Sequence, residues 1–312
     1  MSMRDRIARA VLAGKVGGPT PTGIHVYHSS PHDFDRFDLG KIGTGEGAQS
    51  YGHGIYAAEN PAVSGQGGQY WNSFIGRRSP VETEAADTLR SAEFDRERAI
   101  EGAKLRLNEI AAKSLREGGW DRMKERQLEA LRLLESGAPV GPRTYEVNFK
   151  AQPEQLLDWD KPLAQMSPEV QKRLNDAWLA HPDDHARMTG EGIYGSLEAK
   201  NWDSSKYRGA GKPYASQTLL DAGIPGIRYL DEGSRNIPQQ RISLENDIAK
   251  SRAAGDQQLL NHYEGFLNRL PQPTHNYVAF DPSKLDIMAK YGVVGGVPLG
   301  ASVAQENYGA QP

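Results

Sequence analysis

The sequence predicts an α+β domain. Short apolar, β-rich runs at 23–28, 144–149, 226–230 and 276–281 read as strands, and charged helical stretches separate them. No internal repeat is visible. The 312 residues suffice for one large or two ordinary domains with ample core. Lys plus Arg (37) nearly balance Asp plus Glu (40), for a net charge of −3, so tight non-specific nucleic-acid binding is not indicated. The chain has no cysteine, which excludes a disulfide framework, a thiol nucleophile and a cysteine zinc site. Mean hydropathy is −0.65 and no run approaches 18 apolar residues, so no membrane span is expected. The N-terminal MSMRDRIARAVLAGKVGG has basic residues, but its apolar run is too short for a classical signal peptide.

Residues 4–12 read as a short helix in an N-terminal arm, 1–22, stopped by Gly14, Gly17, Gly18, Pro19 and Pro21. Strand 23–28 puts Ile24, Val26 and His28 on one face. Gly43, Gly45 and Gly47 make a flexible loop. Asn60 can cap, and Pro61 suits the first position of, a helix running toward Tyr70 that Gly65, Gly67 and Gly68 weaken. Residues 81–117 read as one long surface helix ended by Gly118-Gly119, and 120–134 as a second. Together they form a helical insertion near 81–136. Strand 144–149 follows, then a turn at 156–159 and a helix from Ser167-Pro168 to about Ala180. A helix at 214–222, closed by Gly223, leads into strand 226–230. Residues 237–270 are a second polar, helical insertion before strand 276–281. The tail, 292–312, rich in Gly and small residues, reads as disordered or as a linker, which leaves 23–291 as the domain.

The most informative stretch is 51–60, YGHGIYAAEN. It follows VYHSS (26–30) and the glycine-rich IGTGEGAQS (42–50): a strand ending in histidine, a flexible loop, then a tyrosine just before a helix start. On these residues the chain resembles the ADP-ribosyltransferases of the diphtheria-toxin and poly(ADP-ribose) polymerase type, whose signature is histidine, tyrosine and glutamate on three separate strands. The polymerase pattern Gly-Lys-Gly-Ile-Tyr-Phe-Ala matches Gly52-His53-Gly54-Ile55-Tyr56-Ala57-Ala58 at five of seven positions. The family's His-Gly-Ser/Thr is His28-Ser29-Ser30 here, with Ser29 in place of the glycine. The resemblance is closer still to the transferase-like domains of large phage-encoded polyvalent proteins, where segments like VYHxSPHDFDxFD, GIPGIRYLD and NYVxFD recur. It covers about 23–290.

The resemblance implies a split antiparallel β-sandwich with the donor cleft between its sheets, interrupted by the two helical insertions. It implies NAD⁺ as substrate, no metal, and transfer of ADP-ribose to a protein or nucleic-acid acceptor in a host cell, with release of nicotinamide. The setting it suggests is a phage or effector protein, cytoplasmic or delivered into a host. His28 would bind the adenosine ribose, and Ser29 and Ser30 the nicotinamide amide. Tyr56 and Tyr70, with Trp71 beside the latter, would flank the ring, and Gly43, Gly45 and Glu46 would lie in the loop over the donor. The protein's task is modest, because the cationic leaving group already activates the bond: it holds nicotinamide and stabilises an oxocarbenium-like transition state.

The catalytic glutamate of the polymerases sits in Asn-Glu-Tyr-Ile-Val-Tyr-Asp. The matching segment, HNYVAFD (275–281), has Asn276 in that position. Losing an anion about 4 Å from a developing cation costs roughly 4 kcal/mol at an effective dielectric near 20, about a thousandfold in rate. Glu46, Glu59, Asp231 and Glu232 are the candidate substitutes, and chain-forming polymerase activity is the least expected outcome. Two rivals remain: an NAD⁺ glycohydrolase, and a non-catalytic module that binds NAD⁺ or ADP-ribose. The histidines His25, His32 and His53 match no standard metal spacing. Residues 43–47 lack the Lys-Ser/Thr ending of a phosphate loop.

Overall fold

Apolar alternation in IHVYHSS makes Ile24–Ser30 the first strand, β1. In the computed structural model, which describes residues 23–42, 49–117, 119–179, 187–200 and 211–291, six further strands join it. They are β2 (Ile55–Ala58), β3 (Arg143–Phe149), β4 (Leu157–Asp158), β5 (Gly226–Leu230), β6 (His275–Ala279) and β7 (Leu285–Tyr291). The arm, the tail, and Gly43, Gly45 and Glu46 lie outside the described residues. The fold is mixed α and β, with one seven-stranded sheet ordered β4-β5-β6-β2-β1-β3-β7.

Neighbouring strands are antiparallel except β4 and β5, where the residues read as a turn at 156–159 instead pair in parallel, Leu157 with Ile227 and Asp158 with Arg228. The sheet is continuous, but barely so at its centre. β1 and β3 pair along their whole length, Ile24↔Phe149 to Ser30↔Arg143, whereas β1 and β2 share a single Cα pair, Tyr27↔Ala58. Beyond that pair the two strands diverge, and the separation expected between two sheets is here a gap within one.

Asn60 caps α1 (Pro61–Ser64) through the Ala62 N–H, and the glycines at 65–68 break the predicted helix before α2 (Gln69–Ile75). The first insertion is three helices rather than two. α3 (Pro80–Ser91) starts on a Ser79/Glu82 capping box, and α4 (Arg96–Glu117) and α5 (Asp121–Glu135) follow. The predicted single helix breaks at Glu93 and Phe94, both with φ in the left-handed region (55° and 61°), where the Phe94 ring turns onto Trp71 at 5.2 Å. Trp71, Ile75, Leu89 and Leu134 give this bundle a core of its own.

α6 (Pro168–Asp176), α7 (Gly190–Lys200) and α8 (Gly211–Asp221) bury Leu174, Ile193, Tyr194 and Leu219 against Ile227, Tyr229 and Val278 of the sheet. On the other face Ile24, Val26, Ile55, Tyr145, Val147 and Tyr277 form a second layer of core. The second insertion is a helical hairpin, α9 (Ile237–Ala254) and α10 (Gln257–Arg269), turned at Gly255 with φ 68°. Among their described residues α9 buries Ile237, Ile248 and Ser251, and α10 buries none.

Candidate functional site

The gap between β1 and β2 opens a cavity of about 830 Å³, in the upper range of small-molecule sites. His28, Ser29, Ser30, Tyr56, Tyr70 and Asn276 all line it. They come from β1, β2, α2 and β6, segments as much as 248 residues apart (276 − 28) that the sheet order brings together.

His28 sits where the ladder fails. Its Nδ1 lies 2.7 Å from the Tyr56 carbonyl oxygen, so the imidazole donates to a backbone acceptor that the diverging strand leaves behind. Phe37 meets the ring edge-on at 5.2 Å, with Phe34 and Tyr145 each at 6.1 Å. Burial lowers the His28 pKa from its ordinary 6.5, partly opposed by the bond to Tyr56. The neutral ring with Nδ1 protonated keeps Nε2 as an acceptor.

Gly54 is needed for the opposite wall to pack: a Cβ there would fall 2.5 Å from the Ala279 carbonyl oxygen on β6. The strand therefore brings Tyr56 close against β6, where it pairs with Val278. The Tyr56 hydroxyl donates to Gly52 O at 2.8 Å and accepts from the Tyr51 N–H at 3.1 Å, which fixes the ring as a wall. Burial raises its pKa, so the phenol stays protonated.

Asn276 pairs with Ala58 on one side and Tyr229 on the other. It is 7% exposed, and its Oδ1 is a buried acceptor with no partner among the described residues. Such a group costs about 1–3 kcal/mol when left unsatisfied, so it calls for an explanation. Tyr229, 4% exposed, lines the same cavity with its ring stacked on Tyr51 at 3.7 Å.

Two expectations meet a competing arrangement. The Ser29 N–H, expected to hold a ligand amide, donates to Ser64 Oγ at 3.0 Å, and the Ser29 hydroxyl donates to Ser64 O at 2.7 Å. Ser64, itself on the cavity wall, therefore occupies the groups of Ser29 that a ligand would need. Trp71 turns away from the cavity into the helical bundle, its Nε1 donating to Pro142 O at 2.8 Å, whereas Tyr70 remains on the wall.

Of the candidate substitute carboxylates within the described residues, none lines the cavity. Glu59 accepts from the His275 N–H at 3.0 Å, and the His275 side chain holds its carboxyl below the ordinary range. Asp231 is buried under Ser234 and Thr274, and Glu232 is exposed. The carboxylates that do line the cavity are Asp33, Asp35 and Asp38, all on the 31–38 segment, with Arg36 and Lys41 nearby.

That segment is fastened to the sheet. Phe34 stacks on Tyr145 at 4.1 Å, and the Tyr145 hydroxyl accepts from the Phe34 N–H and donates to His32 O. Burial raises the Asp33 pKa, but bonds from Arg143 and Lys290 more than reverse this. Sequence reasoning missed Ser64, Tyr229 and the 31–38 wall as site residues. The signal for the last was visible: three aspartates alternate with two phenylalanines directly after His28.

The described residues contain no cluster of three or more His, Cys, Asp or Glu with metal-site geometry. The cleft presents aromatic faces, two histidines, a buried amide, and two cationic side chains among three aspartates: groups that can meet an aromatic ring, sugar hydroxyls and phosphate. Comparisons with protein-family models, curated proteins and solved structures return no match.

Proposed function

We propose that the chain is an ADP-ribosyltransferase-like protein that binds NAD⁺ in the β1–β2 cleft and transfers ADP-ribose to a macromolecular acceptor, releasing nicotinamide. One observation carries this reading: His28, Tyr56 and Asn276, from three strands, line one cavity where β1 and β2 share only one pair. The expected pair of sheets is met here only as one seven-stranded sheet with a single β1–β2 pair at its centre. In this reading His28 Nε2 accepts from the adenosine ribose, Tyr56 and Tyr70 flank the nicotinamide ring, Asn276 meets the nicotinamide ribose, and Arg36 and Lys41 attract the pyrophosphate.

The neutral Asn276 and the engagement of Glu59 and Asp231 elsewhere favour a slow enzyme, and give specific weight to a binding module as the second reading. Incubation with labelled NAD⁺ and cell lysate tests both. The transferase reading expects labelled macromolecule and released nicotinamide, with Tyr56→Ala lowering release at least about a hundredfold. Release without label identifies a glycohydrolase. If the wild type is inert while Asn276→Glu gains activity, by up to about a thousandfold over background, the chain is a binding module.

A further inference from the structure

Tyr229 and Asn276 are direct cross-strand neighbours on β5 and β6, and both residues line the cavity. Burial pushes the Tyr229 hydroxyl pKa up, and the Asn276 side chain draws it down by less. Two groups of opposite type are then available to a ligand: the buried Asn276 Oδ1, an acceptor with no partner among the described residues, and the Tyr229 hydroxyl on the cavity wall, which can donate. The Tyr229 ring cannot swing, being stacked on Tyr51 at 3.7 Å and 8° and set edge-on to Tyr56 at 6.4 Å. The terminal torsion of Asn is broad, so the carboxamide can turn toward a ligand without a change of χ1 rotamer.

One ligand group engages both at once, because a hydroxyl donates and accepts through the same oxygen. We infer that Tyr229 is a specificity-determining residue, which with Asn276 recognises a hydroxyl of the nicotinamide ribose by donating to its oxygen while Asn276 Oδ1 accepts its proton. The inference rests on the proposed function, which supplies the ribose. It also explains what a neutral residue does at a position where a carboxylate was expected. The pair orients the sugar without charge, and burial keeps the tyrosine protonated, so recognition is insensitive to pH across the neutral range.

Calorimetric titration of the full chain with NAD⁺, and with analogues lacking the 2′-hydroxyl of either the nicotinamide ribose or the adenosine ribose, tests this. The wild type is expected to bind the nicotinamide-side analogue about 10- to 100-fold more weakly than NAD⁺. Tyr229→Phe, which keeps the stack on Tyr51, is expected to lose that preference to within about threefold while retaining its response to the adenosine-side analogue. Asn276→Ala gives the same pattern and carries the test if Tyr229→Phe fails to melt like the wild type. The inference is overturned if the wild type binds NAD⁺ and the nicotinamide-side analogue equally, or if Tyr229→Phe keeps the full preference. Either result leaves NAD⁺ binding itself intact. Absence of NAD⁺ binding to the wild type overturns the proposed function, and this inference with it.

Discussion

On the β1 side of the cleft most polar groups are already engaged within the protein, His28 Nε2 being left as an acceptor. His28 Nδ1 donates to Tyr56 O, the Tyr145 hydroxyl bridges Phe34 and His32, and Asp33 is held by Arg143 and Lys290. On the β5–β6 side, Asn276 Oδ1 has no partner among the described residues, and the Tyr229 side chain lines the same cavity. The first wall uses its polar groups to hold shape. The second keeps them for something that enters the cleft. Of the buried side-chain atoms without a partner among the described residues, which include Thr144 Oγ1 and Asn148 Oδ1 on β3, only Asn276 Oδ1 belongs to a residue of the cavity wall, where a ligand can complete it.

The largest expected way to break this contrast is Gly54→Ala. Its Cβ meets the Ala279 carbonyl, a backbone atom that cannot rotate away, so β2 must move off β6. Urea denaturation should show a loss of about 2–3 kcal/mol, and the Tyr56–Asn276 wall should lose its register. A smaller effect should sharpen the contrast. Tyr145→Phe leaves the Phe34 amide and the His32 carbonyl without their partner, costing about 1–2 kcal/mol. Hydrogen exchange should speed up at Phe34 while amides on β5 and β6 keep their protection.

The smallest effect is a slope. Burial lowers the His28 pKa in the folded protein, so the unfolded chain takes up the proton first as pH falls. The stability this group contributes is complete above about pH 6.5 and declines as pH drops toward the folded-state value. Denaturation midpoints measured from pH 7 to pH 5 should fall less steeply in His28→Gln than in the wild type. Part of the slope will persist through His53, whose pKa burial also lowers.

How much of this was legible in the sequence depended on whether the cause was local. The run GIRYL is a strand exactly where its apolar pattern ends at Pro225 and Asp231, and the Asn60-Pro61 helix start follows from capping chemistry alone. Grouping His28, Tyr56 and Asn276 required only that three strands be neighbours. What stayed hidden depended on partners far along the chain. Nothing near Ser29 announces that Ser64 takes its N–H, and nothing in Tyr70-Trp71 says which ring faces the cleft, until α2 packs Trp71 against Leu89 and Val140. The break at 92–95 escaped for the same reason: two non-glycine residues take positive φ because Phe94 docks on Trp71, a tertiary cause that overrides helix propensity. The strand at Leu285–Tyr291 was missed, and its seven residues supply the edge beyond β3.

The pairing of β1 with β3 and of β3 with β7 joins residues near 27, 146 and 289, so this half of the sheet has almost no local contacts. Loops of more than a hundred residues must close before any of these pairings forms, which makes for slow folding. A growing chain has no β7, and no β6 to back Tyr56, until its last described strands have been synthesised. The cleft is therefore among the last features to form, and a chain truncated before residue 275 lacks both Asn276 and the strand that carries it.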